Sequence, residues 1–363
     1  MRLLDRYLLR ELLVPLAYCL GGFLVFYVAF DLIFHIRSFQ EKHLGFTDMA
    51  AYYAVTLPEL LVVQVIPVSL LLALLYVMTN HSRHNELTAM RAAGVSLWRL
   101  SLPYLGVGVF LGGVVFAMNE LLVPPSAQKA KEILQSRQPL ENRSHPKVVF
   151  AFENRQWAIS AFNPTTSEMT DPNIQWNLGG GKRRTLSAAR GEFTNGQIVL
   201  EKVEEWDESA GGSMQTNYAR VALTLPETAD WIRVAMKVLA VNPDEAAKKP
   251  QLSLSEIRAY LRPKPPMTPD LRATLMTQFQ GRLAEPFTCL AVVLIALPFG
   301  ARTGRHNVFA GVASSVFICF AFFIMQRLSM GLGVGGKLPP VLAAWLPNLV
   351  FGVTGLVMIW RVR

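Results

Sequence analysis

The sequence predicts an α-helical membrane protein with six transmembrane helices in two groups of three, a 3+3 plan, and an all-β, jelly-roll-like domain inserted between the groups. Three observations carry this. The 363 residues are 52% hydrophobic and only 17% charged. The apolar residues gather into runs of about 20, the length a helix needs to cross roughly 30 Å of hydrocarbon with its backbone amides satisfied internally. Between the third and fourth runs the periodicity of the chain changes from helical to alternating.

The runs cover residues 12–34, 57–79, 97–118, 283–300, 308–326 and 341–360. The first follows a basic start, Arg2, Arg6 and Arg10, as a signal peptide would. It is longer than a signal core and shows no small-residue cleavage pattern, so it reads as a retained span. Residues 1–118 then hold three spans, 119–271 the insert and 272–363 the remaining three. Orientation follows from the excess of cations in cytoplasmic loops. Arg83, Arg91, Arg302, Arg305, Arg361 and Arg363 share a side with the N-terminal arginines, whereas the loop at 327–340 offers only Arg327 and Lys337. The insert lies across the membrane from the segment 84–96. The formal charge of +9 is largely these flanking arginines, and no nucleic-acid partner is expected. Cys19, Cys289 and Cys319 all fall within spans, so no disulfide framework is indicated.

In the insert, KVVFAFENRQWAISAF alternates around a polar centre as two strands and a turn would. GEFTNGQIVLEKVEEW places Asn195-Gly196 between strand-like flanks, a strong hairpin signal, and NYARVALTL continues in the same style. The domain is entered through a polar helical segment, 126–138, and left through SLSEIRAYLR and the Pro-rich RPKPPMTPD. GGGKRRT, 179–185, resembles a phosphate-binding loop only faintly. Trp176 stands at the first glycine position of that motif and Arg183 at its Ser/Thr position, so a basic surface turn is expected. His81 and His84 are spaced i, i+3 in what reads as a solvated loop without a metalloprotease pattern, so neither metal nor any other cofactor is expected. No nucleophile motif is visible, and His145 is the single histidine of the insert.

HNELTAMRAAGVS, residues 84–96, is a polar, Ala-rich stretch between two spans. Its residues favour helix; Asn85 can cap the start and Gly94 can end it in a left-handed conformation. Glu86, Met90 and Ala93 share one face, with Leu87 and Arg91 beside them. Small residues at 89, 92 and 93 let another surface approach, and Glu86 can take a basic partner. A plain connector is the alternative. Along the first span Phe23, Phe26, Phe30 and Phe34 are followed by Arg37, Lys42 and His43; Phe30, Phe34 and Arg37 share a face. Arg37 and Lys42 suit anchoring a helix at the interface. Asp31 and His35 are spaced to pair. Glu285, costly in lipid, is one turn from Arg282 and is expected to pair with it. Pro58, Pro67, Pro103, Pro286, Pro298 and Pro347 are candidate kinks.

These residues carry a resemblance. LLDRYLLREL at the start, LPELLVVQVIPVSLLLALL in the second span, NELTAMRAAGVS after it, RLAEPFTCLAVVLIALPFG in the fourth and GKLPPVLAAWLPNLVFG leading into the sixth together resemble the LptF/LptG permease family, the membrane subunits of the ATP-driven lipopolysaccharide exporter of Gram-negative bacteria. Both membrane halves match in content and order; the insert matches in position, size and β character. The DRY start and the exit of the first span lean towards the LptG-like member.

The resemblance implies a multi-pass protein of the bacterial inner membrane with its β-domain in the periplasm. Residues 84–94 then form a coupling helix docking on a cytoplasmic ABC ATPase dimer, with Glu86 the acidic contact and Leu87, Met90, Arg91, Ala93 and Gly94 around it. A second LptF/LptG-type permease pairs with this chain around a cavity that takes lipopolysaccharide from the outer leaflet, spans 1 and 5 lining the lateral openings. Phe26, Phe30, Phe34, Arg37 and Lys42 are the implied lipid contacts, and a periplasmic bridge protein with a jelly-roll domain receives the lipid. The chain itself is then a non-catalytic subunit. Asp31 departs from the pattern, standing where a relative carries lysine. Two other classes compete. An envelope receptor or scaffold whose β-domain binds a partner leaves the segment 84–94 without a purpose, and a membrane enzyme lacks a catalytic constellation.

Overall fold

A computed structural model of the chain describes residues 3–61, 65–135, 148–152, 154–163, 167–179, 182–194, 196–209, 212–239, 252–262, 265–300 and 308–361. It divides into two compact units, one of Met1–Arg137, Pro243–Ser253 and Pro269–Arg363, the other of Gln138–Asn242 and Leu254–Thr268.

The first unit is helical: α1 (Leu3–Glu41), α2 (Phe46–Leu60), α3 (Ile66–Arg83), α4 (Glu86–Ala92), α5 (Leu97–Leu121), α6 (Val123–Gln135), α9 (Pro269–Gly300), α10 (Val308–Val334) and α11 (Pro340–Arg361). Among the described residues, five segments are long and apolar enough to cross a membrane: Leu3–Glu41, Leu97–Leu121, Pro269–Pro298, Val316–Val334 and Pro340–Arg361. The second expected span, 57–79, falls on α2 and α3, and residues 62–64 between them lie outside the described residues. Its first residues belong to α2, and α3 begins at Ile66 with Pro67 in its first turn, where proline's missing N–H costs nothing. Pro58, Pro103, Pro286, Pro298 and Pro347 lie inside helices.

The apolar part of α3 forms the centre of this unit. Leu70, Ala73 and Leu74 are fully buried, packed with Leu8 and Leu12 of α1, Leu100 and Tyr104 of α5, and Cys289, Val293 and Ala296 of α9. α5 reaches α9 through glycine: a Cβ built on Gly112 would stand 2.6 Å from the carbonyl oxygen of Pro286, and one on Gly108 would stand 3.0 Å from Val293 Cγ2. This small-xxx-small spacing lets two backbones touch. Arg282 and Glu285, expected to pair, share a third residue. Asn119, buried in the last turn of α5, donates its amide to Glu285 and accepts from Arg282 at both its backbone and side-chain oxygens.

The second unit holds β1 (Val148–Phe152), β2 (Arg155–Ile159), β3 (Ala161–Asn163), β4 (Glu168–Thr170), β5 (Asn173–Gly179), β6 (Lys182–Thr194), β7 (Gln197–Ser209) and β8 (Gly212–Leu223), with helices α7 (Ala229–Leu239) and α8 (Leu254–Leu261). All strands join one antiparallel sheet. β6 is its axis, pairing along one edge with β5 over Lys182–Ser187 and with β4 over Arg190–Glu192, and along the other with β7, which carries β8. The two expected hairpins are present: Phe152 pairs with Arg155, and Thr194 with Gln197. Gly196 takes φ +75°, the left-handed geometry such a short loop demands; Asn195 lies outside the described residues, as does His145.

Of the stretch expected as a basic turn, 179–185, Gly180 and Gly181 lie outside the described residues, and residues 182–185 belong to β6. Lys182 already pairs with Gly179, and Arg184 sits in β6, 2.6 Å from Glu205 and 5.7 Å over the Trp176 ring. Alternating buried residues, Phe150, Phe152, Trp157, Ile159, Ile174 and Leu186 among them, give the sheet one apolar face. Trp231 of α7 packs against Phe150 and Phe152 at centroid distances of 5.5 and 4.8 Å and stacks on Tyr260 of α8 at 5.8 Å.

Candidate functional site

Two places in the helical unit carry candidate function, and α1 passes through both. The first is α4. Its end is a Schellman motif: Gly94 N–H donates to Arg91 O (2.9 Å), Val95 N–H donates to Met90 O (3.1 Å), and Gly94 takes φ +83°, as its identity predicts. Its start differs from expectation. Asn85 precedes the helix at φ 57° and makes no side-chain cap bond; asparagine tolerates this left-handed turn better than most residues.

The orientation of α4 divides its residues into two sets. Leu87 is 3% exposed and Met90 half-buried, both packed into the α1/α3/α5 core, which holds the short helix down by about 2 kcal/mol for the leucine. Thr88, Ala89, Arg91, Ala92, Ala93 and Gly94 are exposed. Glu86 sits at the boundary, 34% exposed, and it already has partners: Tyr7 Oη donates to its Oε2 at 2.9 Å, and His81 Nδ1 lies 2.7 Å from the same oxygen. His81 is not in a solvated loop. It occupies the last turn of α3, 1% exposed, its ring 5.8 Å from that of Tyr7. His84 remains exposed beyond the helix end, Nδ1 against Asn80 O. A neighbouring ion pair, Arg99 to Asp5 at 2.8 Å, joins the start of α5 to the first turn of α1.

Burial pushes the Glu86 carboxyl up, but the hydrogen bonds from His81 and Tyr7, with the nearby imidazoles of His81 and His84, outweigh it and leave the group below its ordinary 4.5. A carboxylate lowered on folding contributes stability that is present above its unfolded value and lost as the pH falls through the folded one. The seating of α4 is therefore expected to hold at neutral pH and to loosen below pH 4.5. Amide exchange at Ala89 and Met90, corrected for intrinsic rates, should accelerate there; exchange unchanged down to pH 3 would contradict it.

The second place is a pocket of about 480 Å³ on the flank of the unit, lined by Phe23, Phe26, Tyr27 and Phe30 of α1, by Val68 and Leu72 of α3, and by Phe320, Phe323 and Arg327 of α10 among others. Phe26, Phe30 and Phe34 form an aromatic ladder with centroids 5.9 and 4.7 Å apart, and all three are more than half exposed. The structure brings Phe26 and Phe30 into the lining but not Phe34, Arg37 or Lys42. Arg37 is exposed on α1, and Lys42 is half-buried in the turn that follows.

The cation of the pocket is Arg327, assigned from sequence to a loop because the apolar run was cut at the first charge. α10 continues through it to Val334, so the guanidinium lies among apolar walls. Beyond the pocket, Asp31 and His35 do approach (3.3 Å), and Tyr53 Oη donates to Asp31 at 3.0 Å. Asp31 thus ties α1 to α2. Among the described residues no group of three or more metal-ligating side chains is found.

Comparison with known proteins gives the family. No curated protein matches the chain. A family model for the lipopolysaccharide export system permease LptF/LptG, which spans both members without separating them, matches residues 6–361. With nearly its whole length covered, including α4 and both walls of the pocket, this multi-pass membrane chain belongs to the LptF/LptG family of lipopolysaccharide export permeases.

Proposed function

We propose that the chain is the non-catalytic permease half of an ATP-driven extractor in the bacterial inner membrane, moving lipopolysaccharide from the outer leaflet to a periplasmic bridge. The observation that carries this is the pairing of an inward-seated α4, small residues outward, with an aromatic-walled pocket between α1 and α10. In this reading the chain crosses the membrane six times, α2 and α3 together making the second crossing. The spans of 1–118 and 272–363 enclose a jelly-roll-like periplasmic domain, 119–271.

An ABC ATPase dimer docks on the exposed side of α4, meeting Arg91, Ala93 and Gly94 with Ala89 and Ala92. Glu86, Leu87 and Met90 hold the helix from within. Acyl chains enter the α1/α10 pocket against Phe26 and Phe30, where a hydrocarbon chain loses nothing by leaving lipid and gains contact with fixed rings. Phosphates meet Arg327 in the pocket and Arg37 and Lys42 at the membrane border, through charge-assisted hydrogen bonds. A second permease of the family closes the cavity, and a bridge protein with a jelly-roll domain accepts the lipid.

The test substitutes Ala92→Trp and Ala89→Trp. Either should reduce copurification of the ATPase at least fivefold while leaving thermal stability of the chain unchanged, because both side chains point outward. In parallel, a photocrosslinking residue at Phe30 should capture lipopolysaccharide more strongly than one at exposed Tyr18. ATPase recruitment indifferent to both tryptophans, with no capture at Phe30, would sink the reading and favour a receptor that acts through its β-domain.

A further inference from the structure

We infer that Tyr7, His81 and Glu86 form a latch that passes movement of α4 to α1 and, along α1, to the lipid pocket. The inference rests on the proposed docking of an ATPase on α4 and adds the route by which docking is felt.

Three features point to it. α4 is set between two left-handed joints, Asn85 at φ 57° and Gly94 at φ 83°, so it is a short rigid piece bounded by two sharp backbone turns. Its one carboxylate accepts from α1 and α3 at the same oxygen, Tyr7 Oη at 2.9 Å and His81 Nδ1 at 2.7 Å. Moving Glu86 away would strand a histidine that is 1% exposed, whose Nε2 already has no hydrogen-bond partner. A buried donor cannot turn to water, so intermediate positions are disfavoured and the contact is either made or broken.

The far end of the lever is α1 itself. It is continuous from Leu3 to Glu41, and at 1.5 Å per residue Tyr7 and Phe30 lie roughly 35 Å apart on one rod. Its foot is held by the Tyr7 bond and by the Asp5–Arg99 pair; its upper half walls the pocket with Phe23, Phe26, Tyr27 and Phe30. The Asp31–Tyr53 bond gives it a second support on α2. A helix pinned near its top and latched at its foot tilts when the foot is released, and the pocket wall tilts with it. Tyr7 and His81 are positioning residues in this scheme and touch neither lipid nor ATPase.

Tyr7→Phe removes the hydroxyl and keeps the ring that faces His81. The experiment uses the full chain assembled with its ATPase and permease partner in lipid nanodiscs, with lipopolysaccharide as the probe. Copurification and basal ATP hydrolysis should stay within twofold of wild type and the melting temperature within about 2 °C, while the lipopolysaccharide-stimulated increment and lipid release fall at least fivefold. Tyr7→His, which restores a ring donor, should recover part of the increment. Stimulation and release within twofold of wild type in Tyr7→Phe would overturn the latch, as would loss of ATPase copurification, which would make Tyr7 a docking support. A wild-type chain that recruits no ATPase would instead overturn the docking reading, and the latch with it.

Discussion

Gly112→Ala is expected to cost about 3 kcal/mol and to lower the melting temperature of the detergent-solubilised chain, while Gly113→Ala leaves it unchanged or slightly raised. The two glycines are adjacent, yet a methyl at 112 would stand 2.6 Å from the Pro286 carbonyl oxygen, and a methyl at 113 would meet nothing within 4 Å. The obstacle at 112 is backbone, held on α9 within the packed core, so no rotamer change relieves it and the helices must separate. Separation also disturbs the hydrogen bonds of Asn119 to Arg282 and Glu285, farther along the same α5/α9 contact. Gly113 only exchanges a flexible residue for a better helix former. Size-exclusion chromatography after heating measures both; equal behaviour of the pair would mean that α5 and α9 do not meet as described.

Glu227→Ala is expected to destabilise the β unit by about 3–5 kcal/mol, the range for removing one partner of a buried ion pair. The Glu227 side chain is fully buried, and its Oε1 accepts from Arg155 Nε at 3.0 Å and from Trp157 Nε1 at 3.2 Å. Without it, an arginine that is 14% exposed and an indole N–H in a fully buried residue both lose this acceptor. Replacing both charges, Arg155→Met with Glu227→Met, should recover more than half of the loss, since removing one member of a buried ion pair costs more than replacing both by apolar groups. Hydrogen exchange across β1 and β2 in the full chain reads the effect. A double variant no better than Glu227→Ala would show that shape, not charge, sets the cost.

Both effects arise from contacts that local sequence does not announce, and the same division runs through the candidate site. Hydropathy placed the cores of α1, α5, α9, α10 and α11, because an uninterrupted apolar run of span length has few other ways to satisfy its backbone. It placed the second span over parts of α2 and α3, whose joining residues 62–64 lie outside the described ones. It also ended α10 too soon at Arg327, because a single cation can be sheltered by a pocket that other helices build.

The residues themselves determined those elements whose cause lies within a few positions: the apolar spans, the hairpins at 152–155 and 194–197, and the glycine that ends α4. Period, turn geometry and left-handed φ are local properties, and side-chain identity states them directly. Only the tertiary structure decided that Glu86 meets Tyr7 across 79 positions, that Asn119 meets Glu285 across 166, that His81 is buried and that Leu87 turns inward. Those facts depend on which helices lie side by side, and packing is a property of several segments at once, which no single stretch of chain specifies.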